Sequence, residues 1–324
     1  MIEMAKNIDY PKQCPVLLSS GKHIDPIRKS FNIRESCYPN EVSTKLLEYL
    51  NNLPENTFTT RMNKHLHEMI NVAKMLEGES RDKALKNLAA IQTHPKPMYR
   101  LAPYTTRIYA AKGHYQQLKR EIRNIAFKDC IKLDLAYSQL AISSRLFQCS
   151  EMIKLCESEN VWSYIQNITH LEKHQIKSYI YSLLFQDDES ISQKTSPEII
   201  DIEKRLLMSS EFKSYFDSRT IFLKSNLNFT YTDCFNNPLI GGKNNKLSAL
   251  LQSYELLLFK PALDYFYNIK NNRTKIILYL FDGFYLSGSK RECLNVANQM
   301  KKIVDNNAKD LRIPTKLIIE SFHS

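Results

Sequence analysis

Residues 1–40 show little hydrophobic periodicity and carry Pro11, Pro15, Pro26 and Pro39, so they read as an irregular arm. Apolar positions then recur at helical spacing over Glu41–Leu53, Arg61–Leu76 and Arg81–Ile91, and Pro95 and Pro97 end that run. Residues 114–128 repeat the helical pattern. Ile131 with Lys132–Ala136 makes a short apolar strand. Helical patterns fill about 138–185, a polar break follows from Gln186 to Pro197, and another helix is expected near 198–216. Phe229–Ile240 is β-prone around Asn236-Asn237-Pro238, as in a hairpin. Asn245–Tyr267 has the pattern of a long helix, with a break or kink expected near Pro261. Strands over Lys275–Phe281 and Gly283–Ser287, a helix over Arg291–Asp305 and a strand over Thr315–Phe322 complete the chain. No internal repeat is evident.

This pattern puts an acid at the end of two strands far apart in sequence, Asp134 and Asp282. Strand-end carboxylates can meet on one sheet. Such a pair supplies the hard oxygen ligands that Mg²⁺ takes in a two-metal phosphoryl-transfer site.

Composition narrows the alternatives. With 324 residues the length prior is about two domains. Seven glycines, about 2% against roughly 7% in average usage, argue against a glycine-rich phosphate cradle. There is no GxGxxG, and the G-x4-G-S-K at Gly283–Lys290 has the Ser and Lys in the wrong order for a P-loop. Met1–Tyr10 has acids and no apolar core, so no signal peptide is expected there. No apolar run approaches the roughly 20 residues of a membrane span. Seven scattered cysteines with no CxxC fit reduced thiols in an intracellular, cytoplasmic protein.

The net charge is +11. Between Asp82 and Glu121 there is no acid, and Lys83, Lys86, Lys96, Arg100, Arg107, Lys112, Lys119 and Arg120 alternate with Tyr99, Tyr104, Tyr109 and Tyr115. A basic segment interleaved with aromatics suits a nucleic acid whose phosphates are neutralised and whose bases stack.

Four blocks in order resemble the polymerase module of the DNA polymerase I family (family A) and the related single-subunit RNA polymerases. Thr105-Thr106-Arg107-Ile108-Tyr109, with Gln116-Gln117-Leu118, Arg123 and Phe127, resembles the T-x-x-G-R block, with its glycine absent. Leu133-Asp134-Leu135-Ala136-Tyr137-Ser138-Gln139-Leu140 resembles motif A. Lys173-x3-Lys177-x3-Tyr181-x3-Phe185 resembles motif B, with Lys173 in place of the usual Arg. Tyr279-Leu280-Phe281-Asp282-Gly283-Phe284 resembles motif C, with Phe281 where His is usual and Gly283 where an acid or Ser is common. A weaker fifth match is Asn244, Asn245 and Gln252-Ser253 with a helix that touches the template.

The resemblance implies an α+β, mostly helical right-hand fold. It would comprise an N-terminal arm and thumb-like helices over 1–100, a first part of the palm over 101–150, fingers over 151–240 and the second part of the palm over 241–324. It implies a template-directed nucleotidyltransferase, a minimal DNA-dependent DNA polymerase with no room for an editing domain. Asp134 and Asp282 would hold two Mg²⁺ ions, with Mn²⁺ as a substitute. Lys173 and Lys177 would bind the triphosphate, Lys177 as proton donor to the leaving group, and Tyr181 and Phe185 would cover the base and sugar. Gln139, five residues after Asp134, would exclude a 2′-hydroxyl. Arg107, Lys112, Lys119, Arg120 and Gln252 would grip nucleic acid. The implied partners are a primer–template, nucleoside triphosphates and a replication protein, with no membrane, in a phage, plasmid or mobile-element setting. Two alternatives stay open: an RNA polymerase or primase on the same fold, and a non-catalytic nucleic-acid-binding replication or defence protein.

Overall fold

The computed structural model describes residues 40–102, 105–111, 113–158, 160–185, 197–225, 232–270 and 272–321. The irregular arm, Tyr104, Lys112 and most of the polar break lie outside them. The chain is an α+β fold, mostly helical, with two small sheets. It divides into two compact units. The first is drawn from residues up to Asp134, from Leu263–Lys301 and from Ile318 onward; the second comprises Leu135–Ala262 and Lys302–Leu317.

The first unit begins with three helices, α1 (Glu41–Asn51), α2 (Asn56–Lys74) and α3 (Gly78–Thr93). Asn40 starts α1 by accepting a hydrogen bond from the Ser43 backbone N–H at 2.8 Å, which satisfies one of the free amides of the first turn. Strands β1 (Tyr99–Leu101) and β2 (Ile108–Ala110) form an antiparallel pair that the hydrophobic pattern does not announce. Each is only three residues long, too short for a period to show. Residues 114–128 hold one turn of 3₁₀ helix, Tyr115–Gln117, and the short α4 (Arg120–Ala126).

Four strands build the main sheet: β3 (Ile131–Leu135), β4 (Lys275–Tyr279), β5 (Gly283–Ser287) and β6 (Leu317–Ser321), in the order β4-β5-β3-β6. β5 runs antiparallel to both β3 and β4. Buried Arg61 ties α2 to this layer: its guanidinium donates to the Ala126 carbonyl at 3.0 Å, to Asp129 and to Ser287 Oγ at 3.3 Å, and lies over the Phe127 ring. Removing it would leave the Ala126 carbonyl without this donor in a buried setting, which is costly away from water.

The second unit is helical: α5 (Ser138–Leu146), α6 (Ser150–Glu157), α7 (Val161–Thr169), α8 (Lys173–Phe185), α9 (Pro197–Met208) and α10 (Ser210–Ser225). The single helix expected near 198–216 is thus two, separated at Ser209. Tyr215 is fully buried, shares a 2.6 Å hydrogen bond with Ser143 and packs on Phe147. The hairpin expected over Phe229–Ile240 is partly outside the described residues; what is described is one antiparallel bridge, Thr232 to Pro238.

Helix α11 (Lys243–Asn268) and helix α12 (Lys290–Asp310) each contribute residues to both units. Of the break or kink expected near Pro261, the break is absent: α11 runs on through the proline. Pro261 has no N–H to give the Leu257 carbonyl four residues back. Asn307 on α12 supplies the donor instead, with Nδ2 at 2.9 Å from Leu257 O and 3.1 Å from Leu258 O.

Candidate active site

Strand β3 alternates faces. Ile131, Leu133 and Leu135 point into the core, and Lys132 and Asp134 share the other side. Antiparallel pairing sets Asp134 opposite Gly283, the first residue of β5. Asp282 therefore stands beside Asp134 at the tip of the β4–β5 hairpin, although the two are far apart in sequence.

The hairpin tip is tightly built. The Leu280 N–H donates to the Gly283 carbonyl at 2.8 Å, and the Asp282 N–H donates to the Leu280 carbonyl at 2.5 Å. Closing so short a turn forces Phe281 to φ +61°, a left-handed conformation that costs energy for a residue with a Cβ. Its ring is held by two neighbours from the first block and one from its own. Tyr109 lies at 5.0 Å, Tyr279 at 5.8 Å, and the Arg107 guanidinium sits 4.4 Å from the ring centroid. Gln116 adds a brace, donating Nε2 to the Tyr279 carbonyl at 2.8 Å and the Ile108 carbonyl at 3.1 Å while accepting from the Ala110 N–H. Two of the other sequence blocks, the one around Arg107 and the one around Asp134, thus meet the segment that presents Asp282.

Gly283 explains one departure from motif C. A Cβ at 283 would stand 2.2 Å from the Leu133 carbonyl oxygen and 2.9 Å from Asp134 Oδ1. No acid or serine fits where the two strands approach this closely.

Asp134 is half-buried, and its Oδ2 is engaged. Lys132, with a side chain only 5% exposed, places Nζ 2.7 Å from Asp134 Oδ2 and 3.4 Å from Glu320 Oε2. Glu320, on β6, also takes Arg120 at 3.2 Å. Sequence reasoning passed over Lys132 and Glu320. The two-residue spacing of Lys132 and Asp134 on a strand was a readable signal, but the position of Glu320 depends on which strand flanks β3.

The remaining expected site residues are distributed as follows. In the first unit, Lys119 is exposed, Arg120 is exposed and paired with Glu320, and Arg107 stacks on Phe281. Tyr99 and Tyr115 are fully buried core residues, so they are not surfaces on which a base can stack. Lys112 lies outside the described residues. In the second unit, Gln139 is half-buried in the first turn of α5. Lys173 and Lys177 are exposed on α8, Lys173 near the Trp162 ring and Lys177 over the Tyr181 ring at 5.6 Å; Tyr181 and Phe185 are half-buried. Gln252 is buried, and its Nε2 donates to Ser248 Oγ within α11 at 2.7 Å.

Among the described residues no group of three or more His, Cys, Asp or Glu stands ready to hold a metal. The carboxylates that the sheet register brings near the hairpin tip are those of Asp134, whose Oδ2 is engaged by Lys132, and of Asp282. That suits Mg²⁺, which is commonly held by one or two carboxylates and completed by water and substrate phosphate, better than zinc or calcium. No described helix is long and apolar enough to cross a membrane.

No family model and no curated protein sequence matches the chain. Its fold is similar to that of a solved structure, the POL domain of Pol1 from M. smegmatis in complex with DNA primer-template and dNTP, with a TM-score of 0.55 and 9% identity. The similarity covers 87% of this chain and 66% of that one, so this chain spans just under two thirds of the mycobacterial domain. At this identity the likeness is one of fold: the chain has a DNA polymerase-like α+β fold.

Proposed function

We propose that the chain is a template-directed nucleotidyltransferase, a minimal DNA-dependent DNA polymerase, in which the β4-β5-β3-β6 sheet belongs to the palm and residues 151–240 are the fingers. The observation that carries the reading is the pairing of Asp134 with Gly283, which sets Asp134 beside Asp282 on a sheet whose fold is polymerase-like.

Asp134 and Asp282 are the ligands for Mg²⁺, with Mn²⁺ as its substitute. When bound, the divalent ion lowers the pKa of the attacking primer 3′-hydroxyl and offsets charge on the phosphoryl oxygens. The chain's own residues do the rest. Lys173 and Lys177 neutralise the β- and γ-phosphates, and Lys177 is the proton donor to the departing pyrophosphate. Tyr181 and Phe185 cover the base and sugar. Gln139, five residues after Asp134, excludes a 2′-hydroxyl in this reading, which favours deoxynucleotides. Lys119, Arg120 and Lys112 contact the primer–template backbone, Gln252 the template, and Arg107 acts from its place on Phe281.

Primer extension with Mg²⁺ and deoxynucleoside triphosphates tests this. The wild type extends a primed template, and Asp134→Asn and Asp282→Asn each lose at least about a hundredfold. A wild type as inactive as both variants, with DNA binding intact in all three, would mean a binding protein on a polymerase-like fold.

A further inference from the structure

We infer that Lys132 takes the place of one of the two cations expected at this site. The inference rests on the proposed divalent-ion role of Asp134 and Asp282. A carboxylate that bridges two cations offers one oxygen to each. Asp134 Oδ2 already has the Lys132 ammonium at 2.7 Å, which leaves Oδ1, on the Gly283 side, for an external ion. The ammonium cannot readily leave. Its side chain is only 5% exposed, it issues from a strand with a neighbour on each side, and Glu320 holds it from β6 at 3.4 Å. A buried ammonium without a carboxylate partner is strongly disfavoured, so swinging away from both acids is costly.

Lys132 is thus a fixed positive charge beside the reacting phosphoryl group, and it needs no dehydration of an ion to be installed. Glu320 is a positioning residue. It shares the ammonium with Asp134, its place on the sheet is set by β6, and it also pairs with Arg120. The consequence is a site that recruits a single divalent ion through Asp134 Oδ1 and Asp282.

Electron paramagnetic resonance of bound Mn²⁺ reads this without turnover. The full chain is loaded with a primer–template ending in a dideoxynucleotide and a non-hydrolysable deoxynucleoside triphosphate, and unbound ion is removed. Two Mn²⁺ at the roughly 3.5–4 Å separation of two-metal sites couple and broaden one another, whereas one gives a resolved six-line spectrum. The expected result is one uncoupled Mn²⁺ per wild-type chain, lost in Asp134→Asn, and a coupled pair in Lys132→Met. If Lys132→Met does not fold, the wild-type spectrum decides alone. A coupled, Asp134-dependent pair in the wild type overturns the inference and leaves the nucleotidyltransferase reading standing. No Asp134-dependent Mn²⁺ in any chain overturns both.

Discussion

Gly283 is the residue at which sequence, backbone and chemistry meet most tightly. It lacks a Cβ because the Leu133 carbonyl occupies the space at 2.2 Å, and the same close approach brings the Asp134 carboxylate to the hairpin tip. Its backbone conformation is not the reason for the glycine, since its φ is not in the left-handed range. Gly283→Ala therefore has to push β5 away from β3. The expected cost is that of overpacking a tight core, about 1–3 kcal/mol, read as a lowered midpoint in urea. Nucleotide incorporation should fall further than stability does, because the shift separates Asp134 from Asp282. Unchanged stability together with full incorporation would contradict the close approach. Phe281 works at the same scale. A histidine is usual at this place in the family that the sequence resembles; here the Phe281 ring packs against Arg107, Tyr109 and Tyr279.

At the level of elements, the long helix α11 depends on a side chain from α12. Pro261 leaves the Leu257 carbonyl without its helical donor, and Asn307 fills that vacancy at 2.9 Å. Asn307→Ala should cost about 0.5–1.5 kcal/mol, the net worth of a hydrogen bond in a half-buried setting, read by chemical denaturation. In a Pro261→Ala background the restored N–H should satisfy the same carbonyl, so Asn307→Ala should cost clearly less there. Equal costs in the two backgrounds would mean that Asn307 matters for another reason. This pair also shows what could and could not be read in advance. Proline's missing donor is a local fact, so a break at 261 was a sound expectation; the rescue comes from a residue 46 positions on, 307 − 261, and no local rule reaches it. The same distinction runs through the site. Asp134 and Asp282 were legible because each ends an apolar strand with turn residues beside it. The Lys132–Glu320 pair was not, because strand order decides it. The tyrosines of the basic segment misled, because alternation with cations looks the same whether the rings face solvent or, as for Tyr99 and Tyr115, the core.

That burial changes what the +11 charge of the whole molecule can do. With Tyr99 and Tyr115 in the core, those two rings cannot stack on bases, and the proposed grip of the stretch between Asp82 and Glu121 on nucleic acid would draw mainly on its cations. Its cations are not equivalent. Arg107 lies on Phe281, Arg120 is paired with Glu320, and Lys96 donates to the Asn51 carbonyl at 2.5 Å. Lys83, Lys86, Arg100 and Lys119 are exposed and enter no ion pair among the described residues. Each phosphate neutralised on duplex DNA steepens the dependence of log K on log salt by about 0.9. Replacing all four with glutamine should therefore make the slope shallower by up to about 3.6, with similar losses for primer–templates of different sequence. Fluorescence anisotropy across a salt series measures it, and the melting temperature of the variant serves as the control for folding. A variant that loses affinity at every salt concentration by the same factor, with its slope unchanged, would place these four cations outside the nucleic-acid contact. A slope that becomes shallower while Asp134→Asn leaves it untouched would separate the grip on the duplex from the chemistry at the sheet.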